Sequence, residues 1–217
     1  MSGTLPINSF SKVSIRNNTP TATSITMSGK RQSKQLASQF WTIECDFATM
    51  DRSEINQVMA FLNKQKNSLS SFDVVLPQYS RPFGTLKTIY GAVDSTMSVS
   101  ANAAISATTI SINMDVIRPS NFTNAGTTAT GALKAGDFVK FTNHDKVYQL
   151  TDDMTVESGT GNGTLLIFPG LYTAQTTTQN VTYYDVPFTV FNTEQAQEYQ
   201  LTVGDQATMS LALHEAI

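Results

Sequence analysis

The chain has 217 residues, a formal net charge of -3 and one cysteine. A single cysteine excludes an internal disulfide and a Cys-rich zinc site. The acidic balance argues against a dedicated nucleic-acid-binding protein, which usually carries a basic face, so we expect no sequence-specific nucleic-acid partner. Charged residues form only 14% of the sequence, against about a quarter in a typical domain. Threonine, serine and asparagine fill the intervals between apolar positions, and this bias favours β structure.

Targeting and membrane-spanning patterns are not evident in the sequence. The start MSGTLPINSFSKVSIRNN does not have the basic residues and apolar run of a secretory signal. No stretch approaches the roughly 18 apolar residues of a membrane span. We therefore expect no membrane partner and expect assembly in the cytoplasm.

Charge is distributed unevenly along the chain. No acidic residue precedes Glu44, and no lysine or arginine follows Lys146. Two interpretations are open. The terminal strands pair within one subunit, or opposite ends of neighbouring subunits attract each other around a ring.

The first 35 or so residues predict a short strand around Val13 and Ile15, followed by an extended polar arm. The arm contains the local charge cluster GKRQSKQ at positions 29 to 35, with Lys30, Arg31 and Lys34 as candidate subunit-interface residues. A solvated loop is the simple interpretation. The functional interpretation is a basic arm lying on an acidic neighbour, with contact to packaged nucleic acid as a third option.

A strand, a helix and a second strand are predicted next. The segment QFWTIECDFATM alternates, so that one face of the strand carries Trp41, Ile43, Cys45 and Phe47. A helix near 52–66 is predicted because Asp51 can cap it, with Glu54 three residues later. Its apolar residues recur at helical spacing at Ile55, Val58, Met59 and Leu62. Phe72, Val74 and Leu76 then alternate as in a strand.

Residues 84–184 predict an inserted small β-barrel or sandwich. Short strand-like segments separated by Gly, Ser and Thr recur there, namely TIYGAV, TTISINM, DFVKF, KVYQLT, TLLIF and VTYY. The chain then returns with PFTVF, EYQLTV and TMSLALHE, which are predicted to complete the original sheet. The predicted fold is mainly β, with residues 1–83 and 185–217 forming a discontinuous domain that carries the arm and the helix.

Chemical motifs give no active site. His144, in the turn FTNHDKVY, and His214, near the C-terminus, are predicted to be exposed. The Gly-rich SGTGNGT at 158 to 164 has no following Lys-Ser/Thr and is predicted to be a hairpin turn rather than a phosphate loop. We predict no catalytic residues, no cofactor-binding residues and no metal ligands, and we expect that the protein is not an enzyme.

Several phrases, in their order and spacing, resemble bacteriophage virion proteins related to distal tail or baseplate-hub proteins. The phrases are SGKRQS from Ser28, QFW, MDRSEINQVMAFLNKQK, SFDVVLPQYSRPFGT, LKAGDFVKFTNHDKVYQLTDD and VPFTV. The resemblance implies a tail-tube-like β-sandwich with one packed helix and an inserted barrel. It also implies a ring, favoured to be a hexamer, that connects the tail tube to the baseplate or tail tip in the virion. The implied partners are further copies of the chain and other tail proteins.

An alternative function is a carbohydrate- or receptor-binding module that uses the inserted domain. Sugar-binding sites usually present exposed aromatic side chains. The inserted region contains Tyr90, Tyr148, Phe168, Tyr172, Tyr183 and Tyr184. Alternation along the strands predicts that many of these rings point inward.

Overall fold

The computed structural model describes residues 3–66, 68–86, 96–115, 129–157, 161–177, 179–194, 198–202 and 204–217. In chain order the elements are β1 (Phe10–Asn18), β2 (Thr21–Ile25), β3 (Arg31–Gln35), β4 (Phe40–Phe47), β5 (Met50–Asp51), α1 (Arg52–Lys64), β6 (Phe72–Val75), β7 (Thr96–Val99), β8 (Thr109–Asp115), β9 (Ala129–Thr130), β10 (Phe138–Phe141), β11 (Val147–Leu150), β12 (Thr155–Val156), β13 (Asn162–Phe168), β14 (Asn180–Thr182), β15 (Pro187–Asn192), β16 (Gln200–Thr202), β17 (Gln206–Thr208) and β18 (Ser210–Glu215).

The chain forms two compact units. Unit 1 comprises Met1–Val74 and Thr189–Ile217, and unit 2 comprises Val75–Phe188. The sequence-based boundaries lie at 83–84 and 184–185, inside unit 2. Residues 81–86 belong to unit 2 because Leu86 is buried in its core and the Phe83 N–H donates to the Asp137 carboxylate. Burial raises the pKa of the Asp137 carboxyl, although hydrogen bonds from the Lys134 and Phe83 N–H groups oppose that rise.

Unit 1 is built on a five-stranded sheet in the order β1-β4-β18-β15-β6. The alternation predicted for β4 is confirmed, because its buried side chains are Trp41, Ile43, Cys45 and Phe47. β18 pairs antiparallel with β4, placing Leu211 opposite Cys45 and Leu213 opposite Ile43. These apolar side chains therefore meet on one face of the sheet and form the core of the unit.

Helix α1 begins where the sequence predicted and ends at Lys64, two residues before the predicted end. The Asp51 side chain accepts hydrogen bonds from the N–H groups of Ser53 and Glu54, and the Glu54 carboxylate accepts the Asp51 N–H. This reciprocal capping box satisfies donors that the first helical turn leaves free. The helix buries Ile55, Val58 and Leu62. Phe61 also makes an edge-to-face contact with Phe72 of β6 at 5.4 Å between ring centroids.

Unit 2 contains a closed β-barrel. Six strands follow one another around it in the order β11-β10-β14-β7-β8-β13, and β13 pairs with β11 to close the circle. β12 and β9 extend the sheet beyond β13. The interior is apolar, with side chains such as Ile112, Phe141 and Leu165 fully buried. The predictions of a mainly β fold, one packed helix and an inserted barrel are confirmed.

Two predicted strands have a different outcome. EYQLTV was expected to complete the original sheet, but β16 lies instead in a separate three-stranded sheet, β16-β17-β5. That prediction was wrong because the alternating Tyr199 and Leu201 are exposed rather than buried, while Val203 lies outside the described residues. The predicted strand TIYGAV, with Tyr90, also lies outside the described residues.

Candidate functional site

The predicted arm folds as a β-hairpin. β2 and β3 pair antiparallel from Thr21 opposite Gln35 to Ile25 opposite Arg31, and every residue of both strands is exposed. The hairpin is inserted between β1 and β4, which pair directly with each other at Asn18 and Phe40. Five residues of strand span about 17 Å. The hairpin is therefore an extension at the end of the β1–β4 ladder, and the core does not require it.

The tip of the hairpin is fixed by local hydrogen bonds. The Thr26 N–H donates to the Lys30 carbonyl at 3.0 Å, and the Gly29 N–H donates to the Thr26 carbonyl at 2.8 Å. The Thr26 hydroxyl accepts the Lys30 N–H at 3.1 Å. Gly29 has a φ of 79°, a left-handed conformation that suits glycine. These hydrogen bonds therefore fix the backbone position of Lys30, one of the three candidate interface residues.

The hairpin carries cations on both faces and apolar side chains in solvent. Arg31 lies opposite Ile25, whereas Lys34 lies opposite Ala22, and positions of different parity point to opposite faces of a strand. Ile25 is 75% exposed and Leu36 is 66% exposed. Met27, at the tip, is fully exposed. The structure thus brings Lys30, Arg31 and Lys34 together on one projecting element.

β1 is an edge strand of the five-stranded sheet. It is nine residues long and pairs with β4 on one side. Arg16 on β1 forms an exposed ion pair with Glu44 on β4 at 3.5 Å. β1 and β18 both flank β4, which agrees with the simpler interpretation of the charge asymmetry for these two strands. That interpretation does not explain the positive charges of the hairpin, because the hairpin strands are fully exposed.

A second exposed feature of unit 1 is acidic. β16 is the edge of the three-stranded sheet, and all three of its residues are exposed. Leu201 is 49% exposed and the adjacent Tyr199 is 37% exposed. Exposed carboxylates occur in and beside this segment at Glu194, Glu198 and Asp205. Sequence reasoning missed this surface, although the run of acids without a base and the Gly204–Asp205 turn were available signals.

The barrel carries a half-buried chain of hydrogen bonds around His144. The Tyr148 hydroxyl lies 2.7 Å from His144 Nε2 and accepts the Tyr172 N–H at 2.9 Å. The other ring nitrogen of His144 contacts the Asn143 side-chain oxygen. Burial, followed by the positive charge of Lys140, lowers the pKa of His144 to about 4. The prediction of an exposed loop histidine was wrong, because a neutral imidazole is half-buried as a hydrogen-bond partner of Tyr148.

His214 was also predicted to face solvent, and it is instead half-buried between two aromatic rings. Its ring stacks on Phe40 at 4.1 Å and on Phe191 at 4.9 Å between centroids. Phe40 lies on β4 and Phe191 on β15, the two strands that flank β18. The stack therefore crosses three strands and stabilises the outer face of the sheet.

A polar groove crosses the outer face of the barrel over β8, β13 and β12. Its volume is about 780 Å³. Thr164 on β13 lies directly opposite Ser111 on one side and Thr155 on the other, so three hydroxyl groups line adjacent strands. Beside them, the Asn113 side-chain amide donates to Asn162 Oδ1 at 2.9 Å.

The rim of the groove carries two carboxylates. One belongs to Glu157 and the other to Asp153. Asp153 is held by Lys134 Nζ and the Ala135 N–H, and these hydrogen bonds lower the pKa of its carboxyl. Leu166, which is 36% exposed, adds an apolar surface. The groove thus offers several hydrogen-bond acceptors next to one apolar side chain.

The aromatic side chains considered for sugar binding do not form this groove. Tyr148 and Tyr183 are buried in the barrel core, whereas Tyr172 is exposed. The turn predicted for the seven residues SGTGNGT includes 158–160, which lie outside the described residues. On either side of them, the Glu157 N–H donates to the Asn162 carbonyl and the Gly161 N–H donates to the Glu157 carbonyl.

Neither a metal-binding cluster nor a membrane-spanning helix is found among the described residues. In that part of the chain, no three His, Cys, Asp or Glu side chains are grouped so that they could hold a metal ion. No described helix has both the length and the apolar character needed to cross a membrane.

Two family models match the chain in the order of its domains. The model of the N-terminal part of the A domain of distal tail protein pb9 matches residues 4–79, and the model of the pb9 B domain matches residues 98–186. Together they cover more than half of the chain. The distal tail protein pb9 of Escherichia phage T5 is 25% identical over 211 residues, which are 96% of this chain and 92% of that protein. These matches confirm the family resemblance seen in the sequence, and the chain belongs to the family of distal tail proteins represented by pb9.

Proposed function

We propose that this protein is a structural component of a bacteriophage tail and forms a closed ring that joins the tail tube to the baseplate or tail tip. The matched proteins are distal tail proteins, which supports a place in the virion tail. Six copies are the favoured ring size. The partners are further copies of the chain and the neighbouring tube, hub or tip proteins, and the ring assembles in the host cytoplasm.

One observation carries the proposal for self-assembly: unit 1 leaves extended strands unpartnered at its surface. β1 lies at a sheet edge, and the β2–β3 hairpin is exposed on both faces. Exposed strand edges present backbone donors and acceptors to a further chain. Extended arms also bury area only when they dock. On this proposal the protein acts through contacts between chains and is not an enzyme.

The ring is tested by mass photometry and negative-stain microscopy of the full-length chain. The measurements are made over a concentration series and repeated after addition of the neighbouring tail proteins. We expect a single closed multi-copy species, with six chains favoured. Monomers under every condition, together with a single copy per tail particle, would contradict the proposal.

A second candidate function is supported by the polar groove of unit 2. We infer that the groove binds neutral saccharides. Its hydroxyl and amide groups both donate and accept hydrogen bonds, and its carboxylates accept hydrogen bonds from sugar hydroxyls while repelling anionic ligands. Leu166 offers a surface for the apolar face of a sugar ring. This function is compatible with a ring, because the groove belongs to the barrel alone.

The saccharide proposal predicts that Thr164→Arg abolishes glycan binding. Thr164 is exposed at the centre of the groove, so arginine there blocks the floor without disturbing the core. Binding is measured with the full-length chain on an array of neutral and acidic bacterial oligosaccharides. Thr142→Arg is the matched control, since Thr142 is an exposed barrel residue outside the groove lining. Equal binding by Thr164→Arg and the wild-type chain, or no binding to any glycan, would reject this function.

A further inference from the structure

The β2–β3 hairpin and the β16 edge have complementary chemistry. Within the hairpin and its turn, the charged residues are three exposed cations, Lys30, Arg31 and Lys34. Described residues 194–208 contain three exposed carboxylates and no lysine or arginine. Their charges are therefore equal in number and opposite in sign.

Both features also expose apolar side chains beside their charges. Ile25 and Leu36 lie in solvent on the hairpin side, and Tyr199 and Leu201 lie in solvent on the acidic side. Interfaces are formed by such apolar contacts surrounded by polar and charged groups. The backbone also matches, because the hairpin strands and β16 are all extended and have exposed edges that could pair.

We propose that the β2–β3 hairpin of one copy docks on the acidic segment around β16 and β17 of the next copy. The hairpin strands and β16 are exposed in the isolated chain, so both surfaces are accessible to another copy. Each copy carries one hairpin and one acidic segment, and a contact between two different surfaces is heterologous. Such contacts close into a ring when the rotation between copies permits. This inference rests on the proposed ring and assigns its subunit contact.

The contact is first tested by zero-length crosslinking in a mixture of isotopically labelled and unlabelled chains. Equal amounts of unlabelled and ¹⁵N-labelled full-length chain are mixed and treated with a carbodiimide, which joins lysine amines to carboxylates in direct contact. We expect crosslinks from Lys30 or Lys34 to Glu194, Glu198 or Asp205 in which one peptide is labelled and the other is not. If both peptides of every such crosslink carry the same isotope, the contact lies within a single chain and the proposal is overturned.

Charge reversal provides the second test. Lys30→Glu, Arg31→Glu and Lys34→Glu in one chain should raise the Kd between copies roughly 100-fold, on the basis of three reversed ion pairs. Glu194→Lys, Glu198→Lys and Asp205→Lys should have a similar effect. A chain carrying all six changes should assemble again, because attraction is restored with opposite signs. The matched control reverses the exposed Arg52 and Lys64 on α1 and Lys66 just after the helix, changes the net charge equally and should assemble normally.

The outcomes of these tests distinguish the proposed contact from the proposed ring. Rings that form equally well with the reversed hairpin, and without crosslinks between isotopes, would overturn the proposed contact while leaving the ring proposal intact. Loss of assembly in both triple variants without rescue in the six-fold variant would also overturn it. A wild-type chain that never forms a multi-copy species, alone or in tail particles, would refute both proposals.

Discussion

Replacing Trp41 with alanine is expected to lower the free energy of unfolding of unit 1 by about 3–5 kcal/mol. Trp41 is 3% exposed and lies on the core face of β4, beside the buried Ile43. Truncation removes the transfer free energy of the indole and leaves a cavity, because close-packed neighbours relax only partly. Urea unfolding followed by far-UV circular dichroism measures the loss, since the chain has no second tryptophan to report it by fluorescence.

Two variants at and beside this position serve as controls. Trp41→Phe should lose less stability, because a phenyl ring fills more of the space than a methyl group. Phe40→Ala, one residue earlier, removes a half-buried ring from the opposite face of β4 and should cost less than Trp41→Ala. If Trp41→Ala unfolds at the same urea concentration as the wild-type chain, the core assignment of β4 is wrong.

The stability of the barrel is expected to fall as the pH drops from about 6.5 to about 4. His144 has its pKa lowered to about 4, against about 6.5 in an unfolded chain. Between these values the unfolded chain binds a proton that the folded barrel does not. Protonation therefore favours unfolding, and the stability present above pH 6.5 is lost as the pH falls through the folded value. With allowance for partial solvent exposure of the ring, we expect a loss of about 2 kcal/mol.

Urea unfolding at neutral pH and at about pH 4 tests this prediction, with His144→Gln as the comparison. Glutamine does not titrate, so the variant should lose less stability on acidification. The carboxyls of Asp137 and Asp185, whose pKa values are raised by burial, are common to both proteins and cancel in the difference. An identical pH dependence in the two proteins would mean that His144 is not held neutral by the barrel.

Features governed by local sequence could be predicted well. The alternation of Trp41, Ile43 and Cys45 identified β4 because a strand with one buried face has a period of two. The Asp51 and Glu54 pair identified the start of α1 because a capping box depends only on neighbouring residues. The order of several phrases also identified the family, which no catalytic motif could have done.

Features governed by distant contacts could not be predicted from the sequence in the same way. The residues of β2 and β3 show no apolar alternation because neither face meets a core, so the hairpin was expected only as an extended arm. The environment of His214 depends on Phe40 and Phe191, which come from remote parts of the chain. For β16 the alternation of Tyr199 and Leu201 was misleading, because these two apolar side chains lie at the surface rather than in the core.

The hairpin lies between β1 and β4, which pair directly with each other. Its sequence is therefore constrained less by the sheet than the sequences of the two strands are. Because Asn18 already pairs with Phe40, the exposed hairpin strands Thr21–Ile25 and Arg31–Gln35 and the turn between them can change in length or composition without altering the register of the sheet. Mutations there should leave the folding of a single chain nearly unaffected. On the proposed contact between copies, divergence of this segment among related phages would keep their tail proteins from co-assembling during mixed infection, while each protein keeps the same scaffold.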